Sequence, residues 1–148
     1  MVFFSTKEAA RITGCTTRQL HYWRSKGLVV PLVNPAGTGY TLYYSRENLV
    51  NLSIVQYLLQ RGYDLAVVAM SLEVLQKLDR GYAQPEQARR FLLCWDDVRQ
   101  KLTVDEFDPQ KVAVLIKQGV FSMTVIPIDD LQRQIQTAIE TLRSVASI

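Results

Sequence analysis

Phe4-Ser5-Thr6-Lys7-Glu8-Ala9-Ala10-Arg11-Ile12-Thr13-Gly14-Cys15-Thr16-Thr17-Arg18-Gln19-Leu20-His21-Tyr22-Trp23-Arg24-Ser25-Lys26-Gly27-Leu28 is the stretch that decides the fold, because two helix starts fall inside it. Ser5 with Glu8, and Thr16 with Gln19, have the spacing of a capping box, in which each side chain satisfies the other residue's free backbone N–H. The first pair predicts a helix from Thr6, with Ala9, Ala10 and Ile12 as its small apolar face. Gly14 ends it through a positive φ that glycine takes without strain. The second helix starts only a few residues later. Two short helices around a tight turn make a helix-turn-helix.

In the second helix Leu20 and Trp23 face inward. Arg18, His21, Tyr22 and Ser25 fall at i, i+3, i+4 and i+7 and share the opposite face. Arg forms bidentate bonds to guanine, imidazole and phenol groups reach phosphates or base edges, and a helix N-terminus favours a phosphate. Asp and Glu are missing from residues 9 to 46. A cationic, aromatic face free of carboxylates is expected to meet nucleic acid. The expected contacts here are Thr16, Thr17, Arg18, His21, Tyr22, Arg24 and Lys26.

After Gly27 the pattern changes. Leu28-Val29-Val30-Pro31-Leu32-Val33, the turn residues Asn34-Pro35-Ala36-Gly37-Thr38-Gly39, and Tyr40-Thr41-Leu42-Tyr43-Tyr44 predict a β-hairpin. A hairpin behind a helix-turn-helix is a wing, whose tip lies against the sugar-phosphate backbone while the helix occupies the major groove. Tyr40, Thr41 and Tyr43 are its expected contacts. The glycines do not form a phosphate-cradling loop, because no Lys-Ser/Thr pair follows and the segment leads into a strand. Ser45 is expected to cap a third helix that Gly62 ends. Asp64 caps a fourth, with Leu65, Val68, Leu72 and Leu75 on its apolar face.

Residues 3 to about 78 resemble the DNA-binding domain of MerR-type transcription regulators. The likeness rests on Ala9-Ala10-Arg11-Ile12-Thr13-Gly14, Arg18-Gln19-Leu20-His21-Tyr22-Trp23, Lys26-Gly27-Leu28, Gly39-Tyr40, Tyr43-Tyr44-Ser45 and Leu58-Leu59-Gln60-Arg61-Gly62-Tyr63-Asp64-Leu65, in order and spacing. The resemblance places the second helix in the major groove and assigns phosphate contacts to Arg18, His21, Tyr22 and the Tyr40 region. Where the family usually has arginine, this chain has His21 and Thr41. Each departure removes a permanent positive charge, and an altered sequence preference is expected.

The chain has 148 residues, 48% hydrophobic and 21% charged, a globular composition with room for a small head and a tail. Its net charge of +3 is unevenly placed. Residues 1–61 hold seven Lys and Arg against Glu8 and Glu47, hence +5, which leaves −2 beyond them. The cationic surface therefore belongs to the head. Neither a secretory signal nor an apolar run of membrane-spanning length is visible, so a cytoplasmic, nucleoid-associated bacterial protein is expected.

The tail starts after Asp79-Arg80-Gly81-Tyr82-Ala83. Gln84-Pro85 is expected to open a helix with Ala88, Phe91, Trp95, Val98 and Leu102 as a heptad-like stripe. Asp108-Pro109 opens another, ended by Gly119. A strand follows over residues 120–127. The last helix begins at Asp129 and Asp130, with Leu131, Ile135, Ala138, Leu142 and Val145 as its stripe. Two stripes offer more apolar surface than one small tail buries, so Phe91, Trp95, Val98, Leu102, Leu131, Ile135, Ala138, Leu142 and Val145 are expected to hold a homodimer. The resemblance implies the same assembly. The compact tail is also similar to that of the MerR-type repressors that accompany CRISPR-associated transposons in cyanobacteria, although no single motif carries that likeness.

No other chemistry has a constellation to support it. Cys15 reads as a small core residue, and Cys94 has no second Cys or His near it for a metal or redox site. Asp129-Asp130 lies in a helix's first turn, where negative charge offsets the helix dipole. Neither a nucleophile with its base nor a nucleotide fingerprint is present, so the chain is not expected to be an enzyme and no cofactor is implied. The expected architecture is mainly α with small β: a winged helix-turn-helix head over residues 1–78 and an α+β dimerisation tail over 79–148. The expected function is a homodimeric repressor on an inverted repeat in promoter DNA, where RNA polymerase is a further partner. An excisionase-like architectural DNA-binding subunit and a protein-interaction adaptor without DNA binding are the alternatives.

Overall fold

A computed structural model of the chain describes residues 2–34, 41–85, 89–96 and 99–146. The elements in chain order are β1 (Phe3–Phe4), α1 (Thr6–Thr13), α2 (Thr17–Ser25), β2 (Leu32–Asn34), β3 (Thr41–Ser45), α3 (Arg46–Gln60), α4 (Leu65–Leu78), β4 (Arg90–Asp96), β5 (Lys101–Glu106), α5 (Pro109–Lys117), β6 (Met123–Pro127) and α6 (Ile128–Ala146). They form two compact units, Met1–Tyr57 with Asp130–Ile148, and Leu58–Asp129. Packing thus groups the C-terminal helix with the N-terminal head, a division different from one at 78/79.

In the first unit both capping boxes form. The Ser5 N–H donates to Glu8 Oε1 at 2.9 Å and the Glu8 N–H to Ser5 Oγ at 3.2 Å. The Thr16 N–H donates to Gln19 Oε1 at 2.9 Å and the Gln19 N–H to Thr16 Oγ1 at 3.0 Å. A small antiparallel sheet follows in the order β1-β3-β2, with Leu32 opposite Tyr43, Val33 opposite Leu42 and Asn34 opposite Thr41. β2 is shorter than the sequence pattern suggests. Pro31 has no N–H for a ladder, and Leu28 is used to close α2, its N–H donating to the Trp23 carbonyl at 2.9 Å. The two-residue β1, which the sequence did not signal, pairs with Tyr44 and Ser45.

Ser45 caps α3 as expected, exchanging bonds of 2.9 and 3.1 Å with Asn48. Leu49, Val50, Leu52, Ile54 and Val55 along that helix are fully buried. A helix that is buried all round needs no polar stripe, and this one runs apolar with only Asn51 and Ser53 as buried polar residues. On α6, Leu131, Ile135 and Ile139 are buried, and Ala138, Thr141, Leu142 and Val145 line a groove of about 200 Å³ with Arg11 and Ile12 of α1.

The second unit holds the one large departure from the sequence pattern. The expected helix from Gln84-Pro85 to Leu102 is instead a β-hairpin, β4 against β5, in a sheet of order β5-β4-β6. Phe91, Trp95 and Leu102 are therefore strand residues, while Ala88 and Val98 lie outside the described residues. The physical reason is legible afterwards. Phe91-Leu92-Leu93-Cys94-Trp95 is apolar without interruption, and Phe91, Leu92, Leu93 and Cys94 are all buried. A strand covered on both faces produces such a run, and apolar periodicity does not separate it from a buried helix. Both faces pair well: Leu93 lies between Val104 and Thr124, and Leu92 between Asp105 and Val125. α4, started by the expected Asp64 cap, packs along β5. α5 starts at the expected Asp108-Pro109, and Gly119 closes it at φ +85°.

Leu93 has no solvent exposure, so Leu93→Ala is expected to cost about 2–5 kcal/mol. Urea unfolding measures this, and an unchanged midpoint would remove β4 from the core.

Candidate nucleic-acid interface

Three local devices fix the direction of α2. Gly14 takes φ +75° and ends α1 with its N–H on the Ala10 carbonyl. The Gly14 carbonyl in turn accepts from Gln56 Nε2 of α3 at 3.0 Å. At the other end Gly27 takes φ +70°, its N–H bonds the Arg24 carbonyl and the Leu28 N–H reaches Trp23, the paired bonds of a Schellman motif. Leu20 and Trp23, 1% and 3% exposed, anchor the helix to the core.

The opposite face stays open. Thr16, Thr17, Arg18, His21, Tyr22, Ser25 and Lys26 are exposed, and Arg24 is half-buried. Tyr22 is 51% exposed with the Lys26 ammonium 5.6 Å from its ring centroid, a cation–π contact that gathers charge and aromatic surface at one point. Ser25 Oγ donates to the Tyr22 carbonyl at 2.6 Å, so this hydroxyl is occupied within the helix. Every expected α2 contact except Arg24 is thus fully at the surface.

The wing strands belong to the same compact unit as this helix. Thr41 is exposed and Tyr43 half-exposed, its ring edge-on to Phe3 at 6.3 Å between centroids. Tyr44 points inward, and burial pushes its phenol above the usual range against the lowering effect of the Arg24 charge. Tyr40 and the turn 35–39 lie outside the described residues. Three polar residues that sequence reading passed over hold this framework: Gln56 at the turn, Asn48 on the Val30 carbonyl at 3.5 Å, and Arg46 on the glutamines of α6. These bonds of Gln56, Asn48 and Arg46 reach residues far away in sequence, although Asn48 also exchanges bonds with nearby Ser45.

The stripe residues expected at a dimer contact are scattered over the two units. Phe91 is buried, and Trp95 and Leu102, partners across β4 and β5, are half-buried. Leu131 and Ile135 are buried within the chain, Ala138 and Leu142 are half-buried, and Val145 is exposed. Among the described residues Val114 and Ile116 of α5 and Phe121 behind it remain in solvent, Phe121 at 77% exposure.

Several carboxylates elsewhere are tied to arginines. Asp129 receives Arg90 Nε at 3.1 and 3.0 Å, Asp130 pairs with Arg133, and Asp96 accepts the Arg99 N–H at 3.1 Å. No group of three His, Cys, Asp or Glu that would hold a metal occurs among the described residues. No described helix is long and apolar enough to cross a membrane. Cys15 and Cys94 are free and buried, and burial raises both thiols above their ordinary range. A raised thiol carries less thiolate at neutral pH. Both cysteines are expected to resist iodoacetamide in the native protein at pH 7.5 and to react after denaturation, which mass spectrometry detects. Fast native labelling of Cys94 would contradict its burial.

Residues 4–75 match the model of the "MerR HTH family regulatory protein" family. The chain is 35% identical over 78 residues to uncharacterized HTH-type transcriptional regulators of Mycobacterium tuberculosis and Mycobacterium bovis, which covers 52% of this chain and 35% of theirs. It therefore spans about a third of the length of these curated relatives. The crystal structure of the HTH-type transcriptional regulator SkgA from Caulobacter crescentus aligns with 80% of this chain and 97% of its own at 23% identity, with a TM-score of 0.33. That score is too low to bear on the arrangement of the units. The capped helix pair, the exposed face of α2, the antiparallel pair of β2 and β3 and the family match coincide on one segment: residues 4–75, just under half of the chain, carry the match to the MerR family of helix-turn-helix regulatory proteins.

Proposed function

We propose that the protein is a cytoplasmic homodimeric repressor that binds an inverted repeat at a promoter and excludes RNA polymerase by occupying the site. The observation that carries this reading is the face of α2: exposed Arg18, His21, Tyr22 and Lys26, with no carboxylate from residue 9 to 46. Arg18, in the first turn, lies where a recognition helix meets base edges, and Thr16 and Thr17 lie at its N-terminus, where backbone N–H groups favour a phosphate. Arg24, Lys26, Thr41, Tyr43 and Tyr40 supply the flanking backbone contacts. His21 and Thr41 in place of arginine shift weight from fixed charge to hydrogen bonding and shape.

A second copy is part of the proposal because a nine-residue helix reads few base pairs, and two such helices on successive major grooves about 34 Å apart read an operator. The apolar surface left for that contact overlaps the stripes only in part, through Ala138, Leu142 and the exposed Val145. Leu131 and Ile135 are consumed inside the chain, whereas Val114, Ile116 and Phe121 stay exposed. Repression is favoured over metal-switched activation because no group of three His, Cys, Asp or Glu that would hold a metal occurs among the described residues.

Capture of genomic fragments on the purified protein, followed by footprinting of the best fragment, tests the reading. A single inverted repeat over a promoter is expected. Direct repeats beside a recombination site would replace the repressor with an architectural subunit, and absence of enrichment would remove DNA binding.

Arg18→Ala is expected to relax preference at one or two base pairs and to weaken operator binding by about 1–3 kcal/mol. Binding to a library of operator variants measures both effects. Unchanged preference takes Arg18 out of base readout.

A further inference from the structure

α6 is separated from the helix-turn-helix by most of the chain, yet it packs within the same compact unit. It reaches that unit at two places. Its apolar side, Ala138, Leu142 and Val145, shares a groove with Arg11 and Ile12 of α1. Its polar side holds Arg46, the first residue of α3, which follows β3 directly. Arg46 Nη1 donates to Gln136 Oε1 at 2.9 Å and Nη2 to Gln132 Oε1 at 3.4 Å. Gln136 is itself oriented by donating its Nε2 to Glu140 Oε1 at 3.0 Å, one turn further on. Gln132 is 5% exposed, so one half of this contact is a buried amide.

The chemistry of the contact is unusual for a half-buried arginine. Its Nε is buried without a hydrogen-bond partner, and the bonds of its Nη atoms go to amide oxygens. The planar guanidinium is therefore gripped by two neutral carbonyl oxygens in a fork, a geometry that fixes direction and leaves the charge uncancelled. Arg46 is also placed where direction matters. Ser45, its neighbour, is at once the last residue of β3, the partner of Phe3 in β1 and the cap of α3. The strand that leaves this junction is the second strand of the wing.

We propose that Arg46, Gln132 and Gln136 form a clamp by which α6 sets the position of the wing, so that operator affinity depends on the seating of a helix that carries none of the expected base contacts. This rests on the DNA-binding reading of the head. Arg46 is a positioning residue here, acting through β3. Loosening the clamp leaves α2 in place and frees the wing, which lowers affinity at the flanks of the site and not at its centre.

The full-length chain with its captured operator serves for the test. Gln132→Leu with Gln136→Leu removes both carbonyl acceptors while keeping helix propensity. It is expected to weaken operator binding about tenfold, less than the two lost bonds are worth in themselves, because they act on the position of the wing and not on the DNA. Hydroxyl-radical protection is lost at the wing flanks and kept over the major-groove centre, with the salt dependence of binding unchanged. Arg46→Lys, which keeps the charge but cannot span two acceptors, gives the same loss. Gln136→Glu, which restores an acceptor opposite Arg46, recovers the flanking protection that Gln136→Leu loses. The opposite pattern overturns the clamp: glutamine variants without effect, Arg46→Lys harmless, and Arg46→Gln reducing the salt slope by about one, as for an arginine lying on a phosphate. A parent chain that binds no operator removes the DNA-binding reading itself, and the clamp with it.

Discussion

The turn of Gly14, Cys15 and Thr16 sets where α2 points, and every proposed DNA contact on that helix hangs from it. The chain has to stop one helix, reverse and start another within three residues, which leaves free N–H and C=O groups at both helix ends. Each is matched to a nearby partner: Ala10 receives the Gly14 N–H, Thr13 Oγ1 receives the Cys15 N–H at 3.4 Å, and Gln56 Nε2 satisfies the Gly14 carbonyl. Cys15, buried at this corner, is a small apolar filler, and its raised thiol has a packing cause in the same burial. The geometry of recognition is thus set by satisfied backbone groups more than by the contacts of the exposed face.

Charge and rigidity are divided between different residues. The exposed cations of α2 make few bonds to the protein, so their side chains stay free for a partner, while the arginines that structure uses are held at both ends. Arg89 pairs with Asp79, reaches Glu106 at 3.7 Å and lies 5.9 Å from the Phe91 ring centroid. Arg90 grips Asp129. The second unit pairs several of its cations internally, in keeping with its acidic balance, and the first keeps Arg18 and Lys26 at the surface.

Much of the head was legible because its signals are local. Capping boxes at Ser5, Thr16 and Ser45, the Asp64 cap and the glycines at 14, 27 and 62 act within a few residues, and the structure has each in the expected place. The hairpin of the second unit was not legible for the opposite reason. Phe91, Trp95 and Leu102 recur at spacings that suit a helix, and only burial of the intervening Leu92, Leu93 and Cys94 reveals the strand. On α6 the stripe was visible but its destination was not, since an apolar face does not say whether a neighbouring helix or a second copy will cover it. Arg46 and Gln136 are 90 residues apart, beyond the reach of any spacing argument.

The sequence separation of that contact also bears on synthesis. A chain emerging from its N-terminus makes α1, α2 and the wing long before Gln132 and Gln136 exist. For that interval the groove lined by Arg11 and Ile12 has no helix to fill it and Arg46 has no acceptors, so the last large element of the head arrives with the last helix of the chain. On the proposed reading, an incomplete product carries α2 without the brace of α6 and competes poorly for an operator with the protein that has it.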